Sequence, residues 1–393
     1  MSVPSPSRAE GRLSRLRLFN FRNYVDLELE LDPGLNVFVG ENAQGKTNLL
    51  EAVATLLLTR SPRAANMAEL LRWGAEEAAV DAELTRGSLS EALALRLRLR
   101  DAAVDVDPGE RVRVSRSTSR DGHPISPREL LGRWPVVLFW PDDLQLVKAG
   151  PEARRRLLDV LVAQLDRSAA DELLRYRRTL EQRNALLRRL QAGDGTAAGE
   201  LHPFDDALVH HGASVQLARA RLVRELAPLA AAALAEITDS SDTLELRYAP
   251  HSGEPSEERE VVVSALAAAL RRAQREEVAR GTTVVGPHRD DLDFVLNGRS
   301  ARVIGSQGQQ RSSVLATKIA EVRLVRERSG RMPLLLLDDV LSELDPARRE
   351  RLLSALSVPE DVPQTLVTSA DENVVGAHRA RRFVVRSGSV VAR

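Results

Sequence analysis

Gly40-Glu41-Asn42-Ala43-Gln44-Gly45-Lys46-Thr47 sets two glycines around four residues and follows them with Lys-Thr. That is the spacing of a phosphate-binding loop, and its chemistry is that of a nucleotide and a metal ion. Glycines let backbone N–H groups converge on an anion, the Lys46 ammonium reaches terminal phosphates, and the Thr47 hydroxyl binds Mg²⁺. A second cluster ends the apolar run Leu334-Leu335-Leu336-Leu337 with Asp338 and Asp339. Asp338 is expected to hold Mg²⁺ beside Thr47, and Asp339 to stand where a general base orients the attacking water. A third cluster, Ser306-Gln307-Gly308-Gln309-Gln310, opens an apolar-periodic run through Val314, Leu315, Ile319, Val322 and Val325. A Ser and a Gly at a helix start form either an ordinary cap or a second anion site. One subunit rarely needs two phosphate-binding helix ends on one γ-phosphate, whereas two subunits facing head-to-tail do. Ser342-Glu343-Leu344-Asp345 reads as a polar turn capping a helix that begins near Pro346.

The elements around these residues suit the task. Leu35 to Val39 reads as a buried strand and Asn48 to Ala54 as a helix, so the glycine turn aims N–H groups and a helix N-terminus at one point. Leu334 to Leu337 is continuously apolar, as a strand buried on both faces must be, and ligands collect at the C-terminal ends of such strands. Val25, Leu27, Leu29 and Leu31 alternate with acids, and Leu93 to Leu99 alternates with Arg96, Arg98 and Arg100. Val112 and Val114 alternate likewise with Arg111 and Arg113. These read as half-buried antiparallel strands beside the nucleotide site. Val136 to Trp140 reads as another buried strand.

The texture changes at Gly150-Pro151. Helical, arginine-rich patterns run from Glu152 to about Leu190 and from about Phe204 to Ile237, with a loop over Gln191 to Gly199 and a kink or boundary at Pro228. The two are expected to pair as a helical hairpin. A strand over Thr243 to Tyr248 and another helix follow, and strand character returns near Thr282. The predicted fold class is α/β, a P-loop ATPase head with an antiparallel β subdomain and an inserted, mainly helical arm. The predicted domains are residues 1–150 for the first part of the head, 151–280 for the arm and 281–393 for the rest of the head.

Composition narrows the classes. The 393 residues balance 56 basic against 56 acidic side chains, so any nucleic-acid contact must come from a local patch. With 3% aromatics, a base-stacking platform is not expected. The absence of cysteine excludes thiol catalysis and disulfides and suits a reducing cytosol. No apolar run reaches the roughly 18 residues of a membrane span. Met1 to Gly11 has no apolar signal core and reads as a frayed extension. Lys46, Lys148 and Lys318 are the only lysines, and one of them occupies the loop position that requires a compact ammonium.

Further segments carry a resemblance. They are Phe19 to Tyr24, Asn48 to Ala52 behind the loop, Pro141-Asp142-Asp143-Leu144, Gly150-Pro151 with Arg154-Arg155-Arg156, and Tyr176 through Arg183 to Leu187. Gly286-Pro287-His288-Arg289-Asp290-Asp291 joins the three clusters above. Together, from about Leu13 to the C-terminus, they resemble the RecF family of bacterial recombinational repair ATPases, in the ABC-type class shared with SMC proteins. The resemblance implies an ATP- and Mg²⁺-dependent homodimer that binds duplex DNA and single-strand gap junctions. It implies loading of the RecA recombinase with RecO and RecR, a place in the SOS response, and a cytoplasmic, nucleoid-associated location without membrane partners.

Carried over by position, Gly40 to Thr47 is the Walker A loop and Leu334 to Asp339 the Walker B strand. Ser306, Gln307, Gly308 and Gln309 occupy the signature motif, and Ser342 to Asp345 the D-loop. There are departures. Asp339 replaces a glutamate, which implies slow hydrolysis. Gln307 stands where glycine is common. Ala43 replaces a frequent glycine, which is tolerable if its φ is negative. Gln145 and Asp142 compete for the Q-loop role, and Thr368, Ser369 or Asp371 substitutes for the switch histidine. Arg154, Arg155, Arg156, Arg175, Arg177 and Arg178 are candidate DNA contacts or simply solvated helix faces. The alternatives are an ATP-binding module without meaningful turnover, a transporter cassette and, least favoured, a small-molecule kinase.

Overall fold

The computed structural model describes residues 11–100, 114–193, 198–238, 242–356, 362–376 and 378–393. The expected strand residues Arg111 to Arg113, most of the N-terminal extension and the middle of the 191–199 loop lie outside them. Two compact units result, one of residues 1–142 with 325–393, the other of residues 143–324.

The first unit opens with β1 (Gly11–Phe21), β2 (Tyr24–Glu30), β3 (Leu35–Val39) and α1 (Lys46–Leu58). β4 (Glu77–Arg86), β5 (Leu89–Leu99), β6 (Val114–Arg120) and β7 (His123–Ile125) follow, then α2 (Pro127–Leu130) and β8 (Val136–Phe139). The second unit holds α3 (Pro151–Leu165), α4 (Arg167–Gln191), α5 (His202–Ile237), β9 (Leu244–Ala249) and α6 (Arg259–Arg280). It continues with β10 (Asp291–Leu296), β11 (Arg299–Ser300), α7 (Ala301–Ile304) and α8 (Gln307–Ser329), whose end returns the chain to the first unit. There β12 (Leu334–Asp338), α9 (Pro346–Leu356), β13 (Thr365–Ser369), β14 (Ala380–Arg386) and β15 (Ser389–Ala392) complete it.

Among the described residues the first unit contains two six-stranded sheets. One is antiparallel, ordered β2-β1-β4-β5-β6-β7, and the other is mixed, ordered β15-β14-β3-β13-β12-β8. In the mixed sheet β14, β3, β13, β12 and β8 run parallel, and only β15 is antiparallel. Every residue of β12 and β13 is buried, which explains the unbroken apolar run Leu334 to Leu337 and the apolar and small-polar sequence of β13: both faces are covered. The antiparallel sheet keeps one wet face, so β2 and β5 alternate.

In the second unit, Asp166 separates α3 from α4. Its carboxylate accepts from Ala169 N–H and caps α4. α4 and α5 pack against each other, and α5 continues through Pro228 to Ile237. The expected return to the head at residue 281 is displaced. β10 pairs with β9 in a three-stranded sheet, which keeps residues 281–324 in the second unit. Strand character begins at Asp291 rather than near Thr282. Gly286, at φ +132°, begins a tight turn through Pro287 to Arg289.

This unit corrects the reading of its arginines. Arg154 is buried, bidentate to Asp291 at 2.6 and 2.9 Å, and also donates to the carbonyls of Leu146 and Ala149. It holds α3 to β10 and is not a DNA contact. Arg177 pairs with Asp159, Arg175 with Glu172, and Arg155 donates to the Asp290 carbonyl. Arg183 is fully buried between Asp205, Glu277 and Thr283. Buried guanidinium groups matched this completely by carboxylates fix helix packing, because losing one partner strands a charge.

Candidate nucleotide-binding site

β3 and β12 are not neighbours in the mixed sheet; β13 lies between them. Their C-terminal ends bring the glycine loop and the two carboxylates together. Gly45 adopts φ +111° and α1 begins at Lys46 with no side chain capping its first turn. The orphan N–H groups and positive dipole end of α1 are therefore available to an anion. A Cβ on Gly40 would sit 2.3 Å from the Val385 carbonyl oxygen, and one on Gly45 would sit 2.4 Å from the Asn23 amide. Both glycines are required by contact, and Gly45 also by conformation.

Lys46 is buried and its ammonium donates to the carbonyls of Gly40 at 2.6 Å and Glu41 at 2.8 Å. Burial lowers its pKa, opposed by the nearby charges of Asp339 and Asp338. Thr47 Oγ1 lies 2.9 Å from both carboxylate oxygens of Asp338, and Thr368 Oγ1 donates to Asp338 Oδ1 at 2.6 Å. Burial raises the Asp338 pKa, while the two threonine hydroxyls pull it down. Thr368 belongs to β13, so the intervening strand fills the gap between loop and carboxylate. The donor set fits a hard cation: a hydroxyl and a carboxylate converge beside a phosphate cradle.

Asp339 is half-buried and has φ +53°, a left-handed conformation that Asp tolerates better than most residues. Its N–H donates to Thr368 Oγ1 at 3.0 Å, and Ser342 Oγ donates to its Oδ1 at 2.6 Å. Ser342 also meets Ser369 Oγ at 3.1 Å. Asp345 accepts from Arg348 N–H and caps α9, as the polar turn predicted.

Ala43 does not meet the condition under which an alanine replaces that glycine without strain. Its φ is +64° rather than negative. The loop geometry demands a left-handed residue there, and an alanine Cβ makes that conformation strained.

The sequence reading missed the buttress behind the loop. Tyr24 donates its hydroxyl to the Gly45 carbonyl at 2.9 Å, and the Asn23 side chain donates to the Gln44 carbonyl at 3.0 Å. Asn48 donates to Asn23 Oδ1, and Ser387 N–H donates to Gln44 Oε1. Glu51, on the buried side of α1, accepts two bonds from Arg22 and one from Ser61. The only signal was polar residues inside otherwise apolar segments.

Ser306, Gly308 and Gln309 lie in the second unit. Ser306 is exposed; its Oγ accepts from Gln309 N–H at 3.2 Å, and Gln309 Oε1 accepts from Ser306 N–H at 3.0 Å. This reciprocal capping box starts α8. Gln309 also donates to the Asp242 carboxylate.

Residues 15–123 match the AAA domain family. The chain is 40% identical over 385 residues to the DNA replication and repair protein RecF of Symbiobacterium thermophilum, covering 96% of this chain and 98% of that one. A solved structure of the recombination mediator protein RecF-ATP in the RecFOR pathway superposes with a TM-score of 0.85 at 30% identity, covering 98% of each chain. The Smc head domain of Pyrococcus furiosus, with an extended coiled coil and the C-terminal domain of ScpA, aligns with a TM-score of 0.53 at 16% identity over 98% of this chain and 96% of that one. That likeness concerns the fold.

Proposed function

Because the chain belongs to the RecF family of DNA replication and repair proteins, we propose that it is an ATP-driven, homodimerising DNA-binding protein whose slow hydrolysis times its release. The observation that carries this reading is the meeting of Thr47 Oγ1 with the Asp338 carboxylate at 2.9 Å, beneath the uncapped start of α1. In it, residues Gly40 to Thr47 hold the phosphates of ATP, Lys46 exchanges its loop carbonyls for phosphate oxygens, and Thr47 and Asp338 hold Mg²⁺. When bound there, the metal would supply neutralisation of the charge that develops on the phosphates. Asp339 orients water, its carboxylate positioned by Ser342. A base one methylene shorter than glutamate, on a backbone held at positive φ, leaves that water farther from in-line attack and makes turnover slow.

Ser306 and the Gly308 N–H of a second copy complete the site. In that arrangement Ser306 keeps its capping role and offers its hydroxyl proton to a γ-phosphate oxygen. Gln145 or Asp142 serves as the Q-loop residue, and Thr368 and Ser369 take the switch position beside Asp338 and Asp339. The paired copies hold duplex DNA and gap junctions through phosphate contacts from arginines such as Arg156 and Arg178, and with RecO and RecR load RecA there. The location is cytoplasmic and nucleoid-associated. Among the described residues, no helix is long and apolar enough to cross a membrane.

Single-turnover hydrolysis and DNA binding together test the proposal. Asp339→Asn abolishes hydrolysis but retains ATP-dependent DNA binding, and binding weakens steeply with salt. DNA affinity indifferent to ATP, or turnover unaffected by Asp339→Asn, would refute it.

A further inference from the structure

In the second unit, α4 and α5 carry a convergence of metal-ligand side chains that the ATPase reading does not use. Glu172 on α4 and the adjacent pair His210-His211 on α5 each offer one ligand atom, and these atoms lie within 4.8 Å of one another. His211 Nδ1 stands 2.8 Å from Glu172 Oε2. The two imidazole rings meet edge to face, with centroids 5.2 Å apart. Glu172 and His211 are half-buried, and His210 is exposed. Arg175 donates to Glu172 Oε1 at 2.8 Å, which orients the carboxylate and leaves Oε2 for the histidines.

We propose that Glu172, His210 and His211 form a Zn²⁺ site that ties α4 to α5, with water in the fourth position. Two imidazoles and one carboxylate are a zinc donor set, and in a chain without cysteine they are the ligands zinc can have. The metal replaces the proton shared by His211 Nδ1 and Glu172 Oε2, and that imidazole then carries its proton on Nε2. Arg175 supplies the outer hydrogen bond that such carboxylates have. Arg259 opposes the metal: its guanidinium approaches His210 Nδ1 at 3.4 Å and also bonds the His210 carbonyl and Ser214. Its positive charge competes for the same imidazole.

The inference is independent of nucleotide chemistry, and the test uses the full chain stripped with chelator and titrated with Zn²⁺ alone by calorimetry. The wild type is expected to take up one Zn²⁺ per chain. His211→Ala and Glu172→Gln are each expected to weaken it more than about a hundredfold, and Arg175→Ala about tenfold. Arg259→Ala is expected to tighten it, an effect that loss of folding cannot produce. Co²⁺ in place of Zn²⁺ should give the visible absorption of a tetrahedral site, lost in His210→Ala, whose exposed position leaves packing intact. Zn²⁺ uptake unchanged in His211→Ala, absent in the wild type, or weakened by Arg259→Ala would overturn the proposal.

Discussion

Arg22→Ala exposes how far the glycine loop depends on a charge pair beneath it. Glu51 is completely buried in α1 and accepts from Arg22 Nε at 3.0 Å and Nη2 at 2.9 Å, with Ser61 Oγ at 2.6 Å. Removing the guanidinium strands a carboxylate without water, a change that typically costs about 3–5 kcal/mol. Two features place this case near the lower end. Arg63 stands 3.6 Å from Glu51 Oε2, and the Arg22 side chain is itself 23% exposed. The expected loss is therefore about 3 kcal/mol. Replacing both partners, Arg22→Met with Glu51→Leu, removes the stranded charge and is expected to cost less than the single change. Urea unfolding followed by tryptophan fluorescence reads this out, because Trp73, Trp134 and Trp140 all lie in the first unit. A single-variant loss below about 1 kcal/mol, or a double variant less stable than the single, would refute the argument.

Three further outcomes follow from the same site. Tyr24→Phe should lower stability by about 1 kcal/mol and weaken nucleotide binding, because the Gly45 carbonyl loses its buried donor; titration with a fluorescent ATP analogue checks it. Ala43→Gly relieves about 1–2 kcal/mol of left-handed strain, partly offset by the entropy of glycine, so thermal unfolding should show equal or higher stability; a clear loss would contradict the φ of +64°. Asp338→Asn should stabilise the nucleotide-free chain at neutral pH. The folded carboxyl has a raised pKa, so its contribution is complete below the unfolded value and is lost as pH rises through the folded one. The advantage of the variant should therefore shrink in acid, and an advantage growing in acid would contradict the burial argument.

The motifs and strands were legible where one local rule sufficed. Leu334 to Leu337 and Leu35 to Val39 announced buried parallel strands, and the Gly40 to Thr47 spacing announced the turn. Placing β13 between β3 and β12 was not legible, because strand order depends on pairing across hundreds of residues. Thr368, which bonds Asp338 from that strand, stayed one of three equal candidates for the same reason. Arg154 read as a DNA contact or a solvated helix position, and nothing marked Arg183 as buried, since a guanidinium looks alike in sequence whether its carboxylate is distant or absent. Their partners Asp291 and Glu277 lie roughly a hundred residues away. The φ of Ala43 was not legible either: an alanine favours a negative value, and the loop imposes a positive one.

The central claim, a nucleotide clamped between the glycine loop of one copy and the serine-led start of α8 in another, is tested most directly by mass. Light scattering of the full chain with ATP and Mg²⁺ should show the wild type doubling its mass, while Lys46→Ala and Ser306→Arg remain single chains. Saturating ATP bound by a chain whose mass never changes, or Ser306→Arg pairing as the wild type does, would contradict it.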